Sequence, residues 1–228
     1  MGITFAQIQI GVAQGDTFTY NCRVYFSPDN PQAACPANYA EMNNTEWRLT
    51  ITDVSGYTVS QSVLVRFNNG TEMNYNNGIR LDSGTVWGDG NSIPIIFPNL
   101  NKNDRLYETA QYQSTMIQIA RVNETLVRNY PQGPRELNYV WASANAGSDP
   151  SSGKEDVDEV YFDRKTGIPV EIHAKIVVSN GVVDAFWDIK ESSVWTVPEL
   201  SLLLLLPLLM IAIPLITIAC KKRVSLFK

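Results

Sequence analysis

Residues 170–189 read VEIHAKIVVSNGVVDAFWDI. Val170, Ile172, Ala174, Ile176 and Val178 alternate with Glu171, His173 and Lys175, and after Asn180-Gly181 the alternation resumes in Val183, Ala185, Trp187 and Ile189. A period of two puts these apolar side chains on one face of an extended chain, and Asn-Gly between two such runs is the pair that a tight hairpin turn selects. The stretch is therefore a long amphipathic hairpin with one face directed at a core.

The same period governs the chain outward from this hairpin. Just upstream, Val160-Tyr161-Phe162 and a turn from Asp163 to Gly167 lead into it. Phe18, Tyr20, Cys22, Val24 and Phe26 form one face of a strand whose other face is Thr17, Thr19, Asn21 and Arg23. Trp47, Leu49 and Ile51 form another, followed by the turn Asp53 to Gly56; Val63, Val65 and Phe67 form a third, closed by Asn68-Asn69-Gly70. Ile93 to Phe97, Arg105 to Tyr107, Met116 to Val122, Leu126 to Tyr130 and Leu137 to Ala142 lean towards extended structure between Asn, Pro and Gly. Asn76 to Ser92 and Asn145 to Lys154, rich in Gly, Asn, Asp and Ser, read as loops. No helix-length run of period 3.6 occurs between Asp16 and Glu191. The expectation is an all-β domain, an antiparallel meander of nine or ten strands, curved as a half-barrel or folded as a sandwich.

A different pattern governs the C-terminus. Leu200 to Cys220, LSLLLLLPLLMIAIPLITIAC, holds 21 uncharged residues, enough at about 1.5 Å per residue to cross a hydrocarbon core as one helix. Pro207 and Pro214 lie seven residues apart, on nearly one face, and predict a bent span. Lys221, Lys222 and Arg223 follow directly and assign that end to the cytoplasmic side. The domain plan is residues 1–15 as an N-terminal lead in which a signal peptide is absent or truncated, 16–195 as an extracytoplasmic β domain, 196–199 as a linker, 200–220 as the transmembrane helix and 221–228 as a cytoplasmic basic tail. The expected location is the cell membrane, single-pass, with the ectodomain outside.

Before Leu200 the chain carries 14 basic and 23 acidic residues, a net charge of −9. That sign repels phosphate backbones, so nucleic acid is excluded as a partner. Cys22 and Cys35, the only cysteines outside the span, are expected to form a disulfide that staples the Pro-rich loop back to its strand. Three sequons, Asn43-Asn44-Thr45, Asn69-Gly70-Thr71 and Asn123-Glu124-Thr125, mark Asn43, Asn69 and Asn123 as glycosylation candidates.

No pattern of catalytic residues emerges. The one histidine, His173, falls on the polar face of its strand and reads as solvent-facing. The acidic run Glu155, Asp156, Asp158, Glu159 and Asp163 lacks calcium-loop spacing, and the glycines of GTVWGDGNS lack the Lys-Ser/Thr end of a phosphate-binding loop. No catalytic residue, cofactor or metal ion is expected.

The stretches NNTEWRLTITDVSG, RFNNGTE, PNLNKNDRLY, RVNETLVRNYPQGPRELNYVW, YFDRKTGIPVEI and ESSVWTVPEL, spread over almost the whole chain, resemble a family of uncharacterised archaeal cell-surface proteins with a β-rich ectodomain and one C-terminal span. The tail is similar to an archaeal sorting signal with Pro-Glu-Phe before the span; here Pro198-Glu199 is followed by Leu200. The turn Tyr-x-Asp-x-x-Thr-Gly running into an alternating strand resembles the curved sheets of LolA-like lipoprotein carriers. With no catalytic constellation, the expected function is that of a non-enzymatic, glycosylated and anchored ectodomain serving structure or recognition at the envelope, its partners the membrane and glycans or other envelope proteins. Two alternatives are a carrier of a lipid or other apolar ligand, and a surface hydrolase.

Overall fold

The first and last strands of the domain pair at the centre of its sheet. The computed structural model describes residues 10–107, 120–145 and 155–195, with backbone alone for 143–145 and 155–157. These residues belong to one compact unit, Met1–Tyr130 with Pro134–Val194, except for residues 131–133 and 195, which belong to a second, Pro131–Gly133 with Trp195–Lys228. The strands are β1 (Thr17–Pro28), β2 (Thr45–Ser55), β3 (Thr58–Arg66), β4 (Glu72–Arg80), β5 (Thr85–Gly88), β6 (Glu124–Tyr130), β7 (Gly133–Asn145), β8 (Glu155–Asp163), β9 (Pro169–Val178) and β10 (Gly181–Ser192). They form one sheet in the order β5-β4-β3-β2-β1-β10-β9-β8-β7-β6. The architecture is all-β, a single open antiparallel sheet rather than the two sheets of a sandwich.

The alternating faces fall where the period of two predicts. Val178 pairs with Gly181 and Trp187 with Ile172, so the hairpin of β9 and β10 turns at Ser179-Asn180. Phe18, Tyr20, Cys22, Leu49, Ile51, Val63, Val160, Val183 and Ala185 are all fully buried on the inner face. Burying each large apolar side chain contributes about 1.5–3 kcal/mol, so this face supplies most of the driving force. Among the described residues the one α-helix, α1 (Ala37–Met42), was not expected; it is a single short turn after Pro36.

Two meanders thus run outward from the centre, and the connection from β5 to β6 must cross the entire sheet. Nine inter-strand spacings of about 4.8 Å separate these edges along the sheet. The described residues of this connector lie along the inner face as an irregular strap, with Ile93, Ile95, Ile96, Leu106 and Tyr107 buried in the core. The pieces at Ile93 to Phe97 and Arg105 to Tyr107 are therefore not strands; among the described residues the second makes one isolated bridge, Arg105 to Arg121. Residues 108–119 lie outside the described residues.

A buried irregular backbone needs partners for its amides, and inward-facing side chains supply them. Gln61 Nε2 donates to the Ile93 carbonyl at 3.0 Å while its Oε1 accepts from the Ile93 N–H at 3.2 Å. Asn77 donates to the Asn91 carbonyl at 2.7 Å and accepts from the Gly90 N–H at 3.2 Å. Asn138 donates to the Leu100 carbonyl at 3.0 Å. These three amides peg the strap to β3, β4 and β7.

The turn from Asp163 to Gly167 holds its middle. Asp163, 1% exposed, accepts through Oδ1 from the Lys165 and Thr166 N–H groups and the Thr166 hydroxyl at 3.1, 2.9 and 3.0 Å. Gly167, at φ +72°, lies so close to the strap that a Cβ would stand 2.0 Å from the Ile96 carbonyl oxygen. Its own carbonyl accepts from the Ile96 N–H at 3.0 Å.

The expected loop from Asn76 to Ser92 is mostly strand. Asn76, Asn77 and Gly78 have low β-propensity, but pairing with β3 and β5 overrides it. The Trp87 indole covers Gly78 on the outer face, where a Cβ would lie 2.1 Å from Trp87 Cζ2.

Cys22 and Cys35 are free thiols, so the expected bridge is not formed in this structure. Cys22 points into the core opposite Thr45 on β2 and Trp187 on β10, whereas Cys35 is half-buried in the loop before α1. Among the described residues no helix is long and apolar enough to cross a membrane. The span at 200–220 and the motif residues Pro198, Glu199 and Leu200 lie outside them, as does the loop at 146–154.

Candidate functional site

The outer face carries a polar groove where the first and last strands meet. Antiparallel pairing sets Leu64, Arg48, Thr19 and Glu191 in one row across β3, β2, β1 and β10. Beside the row stand Glu46, Arg66 and Lys190, and the turn after β10 adds Ser193. Together they line a groove of about 610 Å³ in which, among the described residues, Leu64 is the sole apolar one. Its position follows from alternation: outward residues are polar, and the end of β10, where the register shifts between Thr19 and Tyr20, lines one side.

Most of its charges are neutralised in place. Lys190 Nζ lies 3.0 Å from Glu46 Oε2, and Arg66 lies 3.6 Å from Glu46 and 2.8 Å from Glu72. Glu46 holds the Lys190 ammonium above its ordinary range, chiefly through their hydrogen bond. The Ser193 hydroxyl accepts from the Thr17 N–H at 2.8 Å, which leaves its own proton free to donate. Arg48 is exposed in the middle of the row, and its side chain has no hydrogen bond or ion pair among the described residues.

A second assembly surrounds His173. Its Nε2 is 3.0 Å from Asp184 Oδ1 on β10 and its Nδ1 is 3.8 Å from Glu159 Oε2 on β8. The ring stacks on Phe186 with centroids 4.2 Å apart. His173 does face outward, but it is a cross-strand tie between three strands rather than a bare solvent-facing residue. Its two nitrogens point to different carboxylates, so the three groups do not converge on one point. Among the described residues no group of three or more His, Cys, Asp or Glu side chains could hold a metal ion.

Towards the β6 edge, Arg128 pairs with Glu171 and lies 3.7 Å above the Tyr161 ring, which stacks on Tyr139. The Tyr130 hydroxyl donates to Glu171 Oε1 at 2.7 Å. Burial, and then this bond, push the Tyr130 phenol above its ordinary range. The charged groups of the cluster are thus partnered within it.

The three sequons have unequal surroundings. Asn69 is at the exposed tip of the β3–β4 hairpin, its Oδ1 accepting from the Thr71 N–H at 2.8 Å. Asn123 is exposed and accepts from the Trp141 N–H at 2.7 Å. Asn43 is half-buried, and its Thr45 is 1% exposed with its hydroxyl committed to the Met42 carbonyl and the Trp47 indole. Arg48, Thr19 and Glu191 did not stand out in the sequence. Each was visible only as a polar position in an alternating run, and their meeting depends on pairing β1 with a strand more than 150 residues away. No protein-family model matches this chain, and no curated protein matches it.

Proposed function

We propose that this chain is a membrane-anchored cell-surface ectodomain that acts by recognition, without catalysis, through the outer face of its sheet. The groove centred on Arg48 carries the reading, because it is a preformed concavity of ligand size with an uncommitted charged group. The uncharged stretch 200–220 and the basic residues after it supply the anchor and its orientation. Asn69 and Asn123 supply exposed acceptors for glycans.

The finer shape is a sheet curved around its strap as a half-barrel, similar to LolA-like carriers. In those terms the inner face would be the place for an apolar ligand, but here the strap residues Ile93, Ile95, Ile96, Leu106 and Tyr107 already occupy it. The non-enzymatic reading rests on His173, whose ring is engaged by Asp184, Glu159 and Phe186 and whose role is structural.

Full-length protein in proteoliposomes, ectodomain outward, tests this against isolated envelope glycan polymer. The expected result is retention of the polymer, release of it with unchanged mass, and loss of retention in the double variant Arg48→Glu/Lys190→Glu. Shortened polymer would establish hydrolysis instead. Undiminished retention by the double variant would remove the outer groove from the function.

A further inference from the structure

Resting on that reading of the outer face, we propose that the Arg48 groove binds a carboxylated saccharide, with the Arg48 guanidinium taking its carboxylate. Small-molecule sites of about 300–1,000 Å³ are ordinarily lined by apolar and aromatic groups. This one has the volume, about 610 Å³, and the opposite lining: hydroxyls of Thr17, Thr19 and Ser193, with charges on both walls. A lining of that kind complements a ligand whose own surface is hydroxylated all round. An acidic peptide would need apolar subsites for its remaining side chains, and among the described residues Leu64 alone does not provide them.

Charge selects the rest of the ligand. Of the three cations in the groove, Lys190 and Arg66 are occupied by Glu46 and Glu72. Among the described residues that line it, Arg48 alone presents an open planar fork, the geometry that accepts a carboxylate through two parallel hydrogen bonds. Glu46 and Glu191 stand nearby, so a dianionic phosphate would meet more repulsion than a single carboxylate. In a chain carrying 14 basic and 23 acidic residues before Leu200, an uncommitted guanidinium inside a groove is a local reversal of sign. Across Thr19 from Arg48, Glu191 sits two strand spacings away, about 10 Å between backbones, and can accept from sugar hydroxyls while Arg48 holds the acid group.

Titration calorimetry on the full chain in detergent micelles, with digalacturonate and its methyl ester as probes, tests the assignment. Digalacturonate should bind saturably to the native protein, and Arg48→Gln should weaken it at least tenfold, with Arg48→Lys between the two. The methyl ester should bind native protein at least tenfold more weakly than the acid and should not distinguish native protein from Arg48→Gln. The comparison of acid with ester on native protein needs no variant to fold. Equal binding of acid and ester would overturn the role of Arg48. Tighter binding of hexaglutamate than of digalacturonate would overturn the saccharide class. If neither sugar binds while envelope polymer is still retained, the ligand assignment falls and the outer-face reading stands; if polymer retention is lost too, both fall.

Discussion

Gln61 holds both backbone groups of Ile93, donating to its carbonyl at 3.0 Å and accepting from its N–H at 3.2 Å, with the side chain 1% exposed. One amide on β3 thereby replaces the ladder partner that the strap lacks where it enters the core. Replacing Gln61 by Leu would leave a buried donor and a buried acceptor without partners, at about 1–3 kcal/mol for each group. The expected loss is on the order of 2–4 kcal/mol in denaturant unfolding of the full chain. A loss under about 0.5 kcal/mol would show that water or another group takes over and that Gln61 is not a peg.

The turn that grips the strap from the other side should be as sensitive. Asp163→Ala removes the acceptor of three hydrogen bonds and leaves two backbone N–H groups and a hydroxyl to find partners in a buried turn. Gly167→Ala puts a Cβ 2.0 Å from the Ile96 carbonyl oxygen at a φ of +72° that Ala rarely adopts. Each should cost about 2–4 kcal/mol, and the two should be strongly non-additive because they act on one turn. Melting the single and double variants side by side checks this; simple additivity would mean that the strap contact and the turn are independent.

Much of the sheet was legible because alternation is a local signal. The faces of β1, β2, β3, β9 and β10 follow directly from Phe18 to Phe26, Trp47 to Ile51, Val63 to Val65 and the 170–189 hairpin. What was not legible depends on distant partners. Asn77 reads as a loop residue until its amide is seen serving Gly90 and Asn91, and Gly78 reads as a breaker until Trp87 covers it. Ile93 to Phe97 has strand composition, yet the crossover it must make prevents it from pairing. The site was least legible of all, since Arg48, Thr19 and Glu191 are brought together only by the closing pair of β1 and β10.

The register of β9 can be tested at neighbouring positions. Ile172 is 9% exposed on the inner face, and Ile172→Asp would remove apolar area and bury a carboxylate, at a cost of several kcal/mol. His173→Asp acts on the outer face, but it would set three carboxylates side by side with Glu159 and Asp184 and remove the stack on Phe186. Like charges opposite one another and a lost ring contact together cost about 1–2 kcal/mol. His173→Gln, which keeps a donor for Asp184, should cost less than His173→Asp. Full-chain unfolding midpoints should fall in the order Ile172→Asp lowest, His173→Asp intermediate, His173→Gln nearest native. Reversal of the first two would place His173 on the inner face.

Cys22 makes the last prediction, one of reactivity and of pH. Burial pushes its thiol from an ordinary value of 9.0 up to about 12, with the Thr45 hydrogen bond pulling the other way and Asp188 adding to the rise. The thiolate is the reactive form, so at pH 8 iodoacetamide should modify Cys35 on the native protein and reach Cys22 only as fast as the chain unfolds. The same shift makes stability depend on pH. Below about pH 9 the thiol is protonated in both states and the folded chain keeps the full benefit. Between about 9 and 12 the unfolded thiol ionises while the folded one does not, so stability should fall by up to roughly 1.4 kcal/mol per pH unit. The buried phenols of Tyr20 and Tyr107, also raised by burial, act in the same direction from about pH 10 upward. Denaturation midpoints followed from pH 7 to 11 should therefore hold steady and then drop, and Cys22→Ala, whatever its effect at neutral pH, should delay the onset of the drop. Peptide mapping that finds Cys22 alkylated as fast as Cys35 in native protein would contradict the enclosure of Cys22 by β2 and β10.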